Sequence, residues 1–287
     1  MNIGWIGTGV MGKNMLMHLK NAGHIIYIYN RTISKALSLE QENIIVCNTI
    51  EELAKSSNII FTMVGYPKDV KEIYLDKNGI INYVHNNLFC CVDMTTSSPN
   101  LAIEIGNALK LKDVEFLDAP VSGGEIGSIN KTLSIMVGGN YNCFLKIRHL
   151  LECMGNNVNY VGNLGNGMHT KMANQIAIAG TIASTCEALY YCYLNKLNPR
   201  IVLKSISSGA ASSWQLINNG NNIISNNYRP GFYIKHFIKD MEIAIENNKD
   251  ALEITKRVLL MYKKLASIGF ENYGTQALIY YYIQNVK

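Results

Sequence analysis

Several short groups of residues in this 287-residue chain have types and spacings that could do chemistry. Gly7-Thr8-Gly9-Val10-Met11-Gly12 follows a short apolar run and opens a helical pattern. In a G-x-G-x-x-G turn the first glycine permits the tight bend and the second lets a pyrophosphate approach the backbone. The third lets the helix pack closely on the strand. The helix then points unpaired amides at the phosphates. A glycine-rich turn alone is weak evidence, but strand–turn–helix context followed by a second strand predicts a dinucleotide site. At the end of the second strand an NAD site usually carries an acidic residue for the ribose hydroxyls. Asn30-Arg31-Thr32 stands there instead. An amide, a guanidinium fork and a hydroxyl suit a phosphate. The sequence therefore favours NADP, with NAD as the alternative, although Arg31 read alone is an ordinary surface arginine.

Asp118-Ala119-Pro120-Val121-Ser122-Gly123-Gly124 ends another strand in small residues. Ser122 and the amides of Gly123 and Gly124 could cradle a carboxylate, but from this segment alone a plain strand-to-helix turn is the better reading. Asp93-Met94-Thr95-Thr96 closes a neighbouring strand at the edge where open α/β sheets bind ligands. Thr96 could serve the nicotinamide half there, or simply precede the helix begun by Pro99. Lys171 and Asn174 lie three apart, on one face of a long helical pattern. Most helical lysines are solvated, yet this one follows Gly162, Gly165 and Gly167, where a cleft between domains would open. A lysine there could protonate a carbonyl oxygen as hydride reaches its carbon, with Asn174 holding the ammonium or the oxygen. Lys239-Asp240 reads as a solvated ion pair. His18, His24, His85, His149, His169 and His236 show no metal spacing, and there is no G-x-S-x-G nucleophile elbow.

The elements that must position these residues follow from the apolar pattern. Near-continuous apolar runs at 2–6, 25–30, 44–47, 59–64, 88–93 and 114–118 alternate with helical patterns at 11–22, 51–56 and 99–111. This rhythm predicts a doubly wound, mostly parallel α/β sheet covered on both faces. Runs at 133–137 and 158–161, around a helix at 141–151, extend it. After Gly162 the rhythm becomes helical, with patterns at 168–194, 199–207, 234–249 and 251–268. The expected domains are 1–162, holding the dinucleotide, and an all-helical 163–287 for substrate and assembly. The 168–194 pattern is apolar nearly all round, which predicts burial within a helical bundle or at a subunit interface.

Lys plus Arg number 26 and Asp plus Glu 21, a net charge of +5 without blocks of like charge. That argues against nucleic acid and membrane partners and tolerates a small anion. With 48% hydrophobic and 16% charged residues the chain is globular rather than disordered. The N-terminus lacks signal-peptide features, polar residues interrupt every apolar stretch, and seven cysteines show no C-x-x-C spacing. Reduced, largely buried thiols and a cytoplasmic location are expected.

Gly7–Gly12, Asp118–Gly124, Gly167-x-x-x-Lys171-x-x-Asn174 and Lys239-Asp240 occur in an order and spacing that resemble the β-hydroxyacid dehydrogenases over essentially the whole chain. That family includes 3-hydroxyisobutyrate dehydrogenase, tartronate semialdehyde (2-hydroxy-3-oxopropionate) reductase and glyoxylate/succinic semialdehyde reductase. The resemblance implies a Rossmann-type domain and an all-α domain built on the long helix, assembled as a homodimer or homotetramer. It implies Lys171 as catalytic lysine and Asn174 as its assistant. Ser122, Gly123 and Gly124 would hold the substrate carboxylate. Thr96, Lys239 and the pair Met63-Val64 would be cofactor contacts. Asn30-Arg31-Thr32 is most similar to the NADPH-preferring reductases. The expected activity is hydride transfer between NADPH and a small carbonyl acid. An NAD-dependent 3-hydroxyisobutyrate-type dehydrogenase and a catalytically inactive NADP-binding module are the alternatives, and a lysine at position 171 argues against imine chemistry. Two departures stand out: Thr95 replaces a common serine, and Gln175 replaces a common second asparagine.

Overall fold

The computed structural model describes residues 1–246, 248 and 251–284. The chain divides into two compact units, Met1–Lys171 and Met172–Lys287.

In the first unit the order is β1 (Asn2–Ile6), α1 (Val10–Asn21), β2 (Ile25–Tyr29), α2 (Ile33–Leu37), β3 (Ile44–Val46), α3 (Ile50–Ser56), β4 (Ile59–Thr62), α4 (Pro67–Leu75), β5 (Cys90–Asp93) and α5 (Pro99–Lys110). Then come β6 (Glu115–Asp118), β7 (Val121–Ser122), α6 (Gly124–Asn130), β8 (Ser134–Gly139), α7 (Tyr141–Leu151), β9 (Asn157–Gly162) and the start of α8 (Asn166–Leu194). The strands lie in the order β3-β2-β1-β4-β5-β6-β8-β7, with β9 on β8. Pairing is parallel from β3 through β6, and β8 runs antiparallel to β6 and β7. The mostly parallel, Rossmann-type sheet is therefore as expected. The two-residue β7 is a strand that the apolar pattern is too short to reveal.

Alternate residues of the central strands feed two cores. Trp5, Phe61 and Val92 pack with Met15 and Leu16 of α1, while Ile6, Ile60 and Cys91 pack with Leu53 of α3 and Ile105 of α5. Burial on both faces is why these strands read as continuous apolar runs rather than alternating ones. The strand order reverses between β1 and β4, so the turn after β1 sits at the crevice where such sheets bind ligands. The cysteines are all free, and all but the half-buried Cys153 are buried.

The second unit is helical. It contains the rest of α8 and α9 (Pro199–Ile206), α10 (Gly220–Ile224), α11 (Ile234–Glu246), α12 (Glu253–Leu265) and α13 (Ile279–Gln284). Ala179, Ile182 and Cys186 of α8 pack with Phe237 and Met241 of α11 and with Val258 and Tyr262 of α12. The pattern predicted at 234–249 is helical to Glu246, and Lys249 lies outside the described residues. The pattern predicted at 251–268 is helical as α12 over Glu253–Leu265 and then passes into a kinked turn over Ala266–Phe270, non-helical at Ile268 and Gly269 (φ +94°). Among the described residues no helix is long and apolar enough to cross a membrane.

Candidate active site

Gly7 adopts φ +100°, and a Cβ there would overlap Met63 O and come within 2.9 Å of the Val64 side chain. A Cβ on Gly12 would overlap Gly7 O, so only glycine lets α1 begin so close to β1. Trp5 Nε1 donates to Gly7 O at 2.9 Å and Gly7 N donates to Tyr29 O at 3.0 Å, which fixes the turn. Beyond Gly9 nothing lies within 4 Å of the missing Cβ. Helix α1 begins with no side-chain cap and no acidic residue in its first turn. By contrast α3 is capped by Thr49 with Glu51 and Glu52 following, and α7 is capped by Asn140. Thr8 Oγ1 is buried without a hydrogen-bond partner among the described residues. An uncapped helix end with an orphaned hydroxyl beside it fits an anionic dinucleotide. Val10 is exposed and Met11 half-buried at this mouth.

Asn30 is spent on the loop itself. Its Oδ1 accepts from Thr8 N at 3.0 Å and its Nδ2 donates to Thr32 O at 2.9 Å. Arg31 is 79% exposed at its side chain and pairs with Asp69 of α4 at 2.9 Å. Its fork thus already has an anionic neighbour, which no local pattern announces.

At the same sheet edge two buried carboxylates end adjacent strands in register, Asp93 on β5 and Asp118 on β6. Asp93 Oδ1 accepts from Thr62 Oγ1 at 2.8 Å and from Thr95 N at 3.0 Å. Thr95 Oγ1 in turn accepts from Val64 N at 3.0 Å, so one carboxylate sets both the Met63-Val64 turn and the half-buried Thr96 beside it. The threonine that replaces a common serine thus keeps its hydroxyl in use. Asp118 accepts from Gly165 N and from Met168 N, each at 2.8 Å, at the start of α8. Burial pushes both carboxyls up to about 6, against the pull of these hydrogen bonds.

Beyond β6, Ser122 is half-buried, and Gly123 (φ +131°) and Gly124 (φ +63°) take a left-handed turn that favours glycine. Helix α6, which starts there, is tied to α1. Asn14 Nδ2 donates to Ser128 Oγ at 3.0 Å, and His18 Nε2 lies 2.7 Å from Ser128 O. The glycine-loop helix and the helix behind the Ser122 loop are thereby joined.

Lys171 is only 6% exposed, on the second turn of α8. In the second unit Asn174 Nδ2 donates to Gln175 Oε1 at 2.7 Å. Gln175 Nε2 donates to Asp240 Oδ2 at 2.6 Å, and Lys239 Nζ lies 3.0 Å from Asp240 Oδ1. Lys239-Asp240 is thus not a solvated pair: its side chains are 12% and 1% exposed. The chain of bonds runs from Asn174 to Lys239 through Gln175, the residue where the sequence departs from the commoner asparagine. Sequence reasoning gave Gln175, Asp93 and Asp240 no role. The signal available was membership of the Asp93–Thr96 and Lys239-Asp240 motifs and, at Gln175, the departure from asparagine.

Residues 2–162 match the model for the NAD binding domain of 6-phosphogluconate dehydrogenase. Residues 165–282 match the model for the NAD-binding domain of NADP-dependent 3-hydroxyisobutyrate dehydrogenase. The chain belongs to the β-hydroxyacid dehydrogenase family. It is 47% identical over 282 residues to an uncharacterised oxidoreductase of Bacillus subtilis, YkwC, covering 96% of each. A probable 3-hydroxyisobutyrate dehydrogenase-like protein of Arabidopsis thaliana is 41% identical, over 96% of this chain and 84% of the relative. The 2-hydroxy-3-oxopropionate reductase of Escherichia coli is 34% identical, over 87% and 85%. In fold the chain is similar to the 3-hydroxyisobutyrate dehydrogenase of Mycobacterium tuberculosis, with a TM-score of 0.89 at 23% identity over 97% and 98% of the two chains. As a β-hydroxyacid dehydrogenase it is an NAD(P)-dependent oxidoreductase.

Proposed function

We propose that this β-hydroxyacid dehydrogenase reduces a small carbonyl acid of the glyoxylate, succinic, tartronate or methylmalonate semialdehyde class, with NADPH as the favoured cofactor. When bound, the nicotinamide supplies the hydride that reaches the carbonyl carbon. Lys171 donates the proton to the oxygen, and Asn174 steadies the ammonium or that oxygen. Ser122, Gly123 and Gly124 hold the carboxylate. Gly7, Thr8, Gly9, Val10, Met11 and Gly12 cradle the pyrophosphate. Asn30 holds the loop in shape while Arg31 and Thr32 face the ribose phosphate, and Met63, Val64, Thr96 and Lys239 contact the rest of the cofactor. In this reading 1–162 binds the cofactor and 163–287 serves substrate and assembly.

The observation that carries the reading is the burial of Lys171, at 6% exposure, on a helix seated at the ligand-binding edge of the sheet. A lysine kept for solubility would stand in water. The names of relatives support the substrate class: the 34% identical protein is a 2-hydroxy-3-oxopropionate reductase.

The test follows nicotinamide absorbance with NADPH or NADH and the four carbonyl acids. Lys171→Ala should lower turnover by about 10²–10⁴-fold and leave NADPH affinity unchanged. Undiminished turnover would sink the role of Lys171. NADPH binding without any turnover would favour the inactive module. The Arg31–Asp69 pair favours a second reading, in which NAD also serves, because a phosphate must compete with Asp69 for the fork. Exposed Tyr191, Tyr193 and Leu194 at the end of α8 support a homodimer or homotetramer. A monomer by light scattering would remove that part.

A further inference from the structure

We propose that Asp118 is the positioning residue for Lys171, gripping the first turn of α8 so that the lysine is held at one height and one rotation relative to the sheet edge. The inference rests on the reading of Lys171 as proton donor.

Local sequence provides no cap for this helix. The residue before Asn166 is Gly165, which has no side chain to offer, and Asn166 turns its own amide back to Val161 O at 3.4 Å. The cap comes from 47 and 50 residues away. Asp118, fully buried at the end of β6, places Oδ1 on Gly165 N and Oδ2 on Met168 N. One oxygen bonded just before the helix and the other to its third residue make a two-point grip. A single bond would fix the distance of the helix end; two fix its rotation as well. Lys171 follows Met168 by three residues, hence about 4.5 Å along the axis on a neighbouring stripe. Rotation set at Met168 is thus carried to Lys171.

The seat is cut to fit. A Cβ on Gly138 of β8 would come 2.6 Å from Asp118 Oδ1 and 2.7 Å from Gly167 N. A Cβ on Gly167 would come 2.8 Å from Asp118 Oδ2. Missing side chains on both the strand and the helix therefore let the helix backbone descend onto the carboxylate. Met168, wholly buried, locks the same turn from beneath, with its sulfur 3.4 Å from Ser97 N. Burial that pushes the Asp118 carboxyl up to about 6 marks a costly choice for a group that only ends a helix. In the chain Asp118 also stands four residues before Ser122. One strand end thus references both the proton donor and the loop assigned to the substrate carboxylate. Misplacement by about an ångström can cost 10²-fold in rate.

The experiment compares full-length wild type with Asp118→Asn, which keeps the shape but turns an amide N–H₂ towards a backbone N–H. Hydrogen exchange by mass spectrometry is read over 163–173, NADPH affinity by fluorescence, and turnover with its solvent isotope effect on the best carbonyl acid. The expected result has four parts. Exchange is faster at 165–168 with β1–β4 unchanged. NADPH affinity stays within about twofold, kcat falls about 10–100-fold, and the solvent isotope effect on kcat rises because proton delivery becomes limiting. Unchanged exchange at 165–168 would overturn the proposal. So would a kcat that falls only in step with the folded fraction at constant isotope effect. Should Asp118→Asn fail to fold, Gly167→Ala disturbs the same seat from the helix side and is expected to give the same pattern. Wild type that reduces no carbonyl acid would defeat the functional reading, while the exchange measurement would still decide whether Asp118 holds the Lys171 turn.

Discussion

Helices α1 and α8 both begin at the C-terminal edge of the same sheet, and their first turns are treated in opposite ways. Helix α1 starts at an uncapped glycine loop without an acidic side chain, next to the orphaned Thr8 hydroxyl. Helix α8 starts on a buried carboxylate that accepts from the amide just before it, Gly165 N, and from its own Met168 N. The dipoles and unpaired N–H groups are the same in both. An open end is a place for an anion that comes and goes. A filled end is a fixed mount, and what it mounts is Lys171. The fold thus uses one piece of helix physics once for binding and once for positioning.

The comparison breaks first at Gly12. A Cβ there overlaps Gly7 O, so Gly12→Ala should push α1 off the loop. Overpacking of about 1–3 kcal/mol corresponds to NADPH affinity weakened by about 10–100-fold, read by fluorescence titration. The same overpacking should lower the thermal midpoint as well, so the affinity is compared at a temperature where both proteins are folded.

Arg31 tests the rim of the open end. As an exposed group it is worth less: Arg31→Ala should weaken NADPH about three- to tenfold and leave NADH unchanged, with the difference shrinking in salt. Asp69→Asn frees the fork from its 2.9 Å partner and should strengthen NADPH slightly, about twofold. Equal effects on both cofactors would remove the ribose-phosphate role of Arg31.

The smallest effect concerns pH and belongs to the filled end alone. Burial holds Asp118, and Asp93 on the paired strand, near 6, above the ordinary carboxylate value of 3.8. Between those values the native state binds protons that the unfolded chain releases. Their contribution to stability therefore rises as pH falls from 7 towards 4, and is lost as pH rises through about 6. In urea unfolding, the gain from pH 7 to pH 5 should be smaller in Asp118→Asn than in wild type. An identical pH response would show that the carboxyl does not titrate there.

Much of this design is legible in the chain because its cause is local. The turn Gly7–Gly12 is a contiguous motif between a strand and a helix, and β1, α7 and the end of α8 fall at 2–6, 151 and 194 as the apolar pattern predicts. Strands buried on both faces write themselves as apolar runs. Short elements escape: β7 has two residues and α2 five, below the length at which a period is visible. Lys239-Asp240 reads as a solvated pair because a helix pattern gives spacing, not surroundings. In the structure Asp240 is 1% exposed and accepts from Gln175 of another helix.

The sequence by itself determined the alternation of the longer strands and helices, the glycine loop, and the residue types available for hydride chemistry. Each depends on neighbours within about a dozen positions. Tertiary structure alone decided which end of which helix stays open and which is filled. Asp118 meets Gly165 and Met168 across 47 and 50 residues, and Arg31 meets Asp69 across 38. No local rule fixes such pairs, because they exist only once the sheet has brought its strand ends side by side.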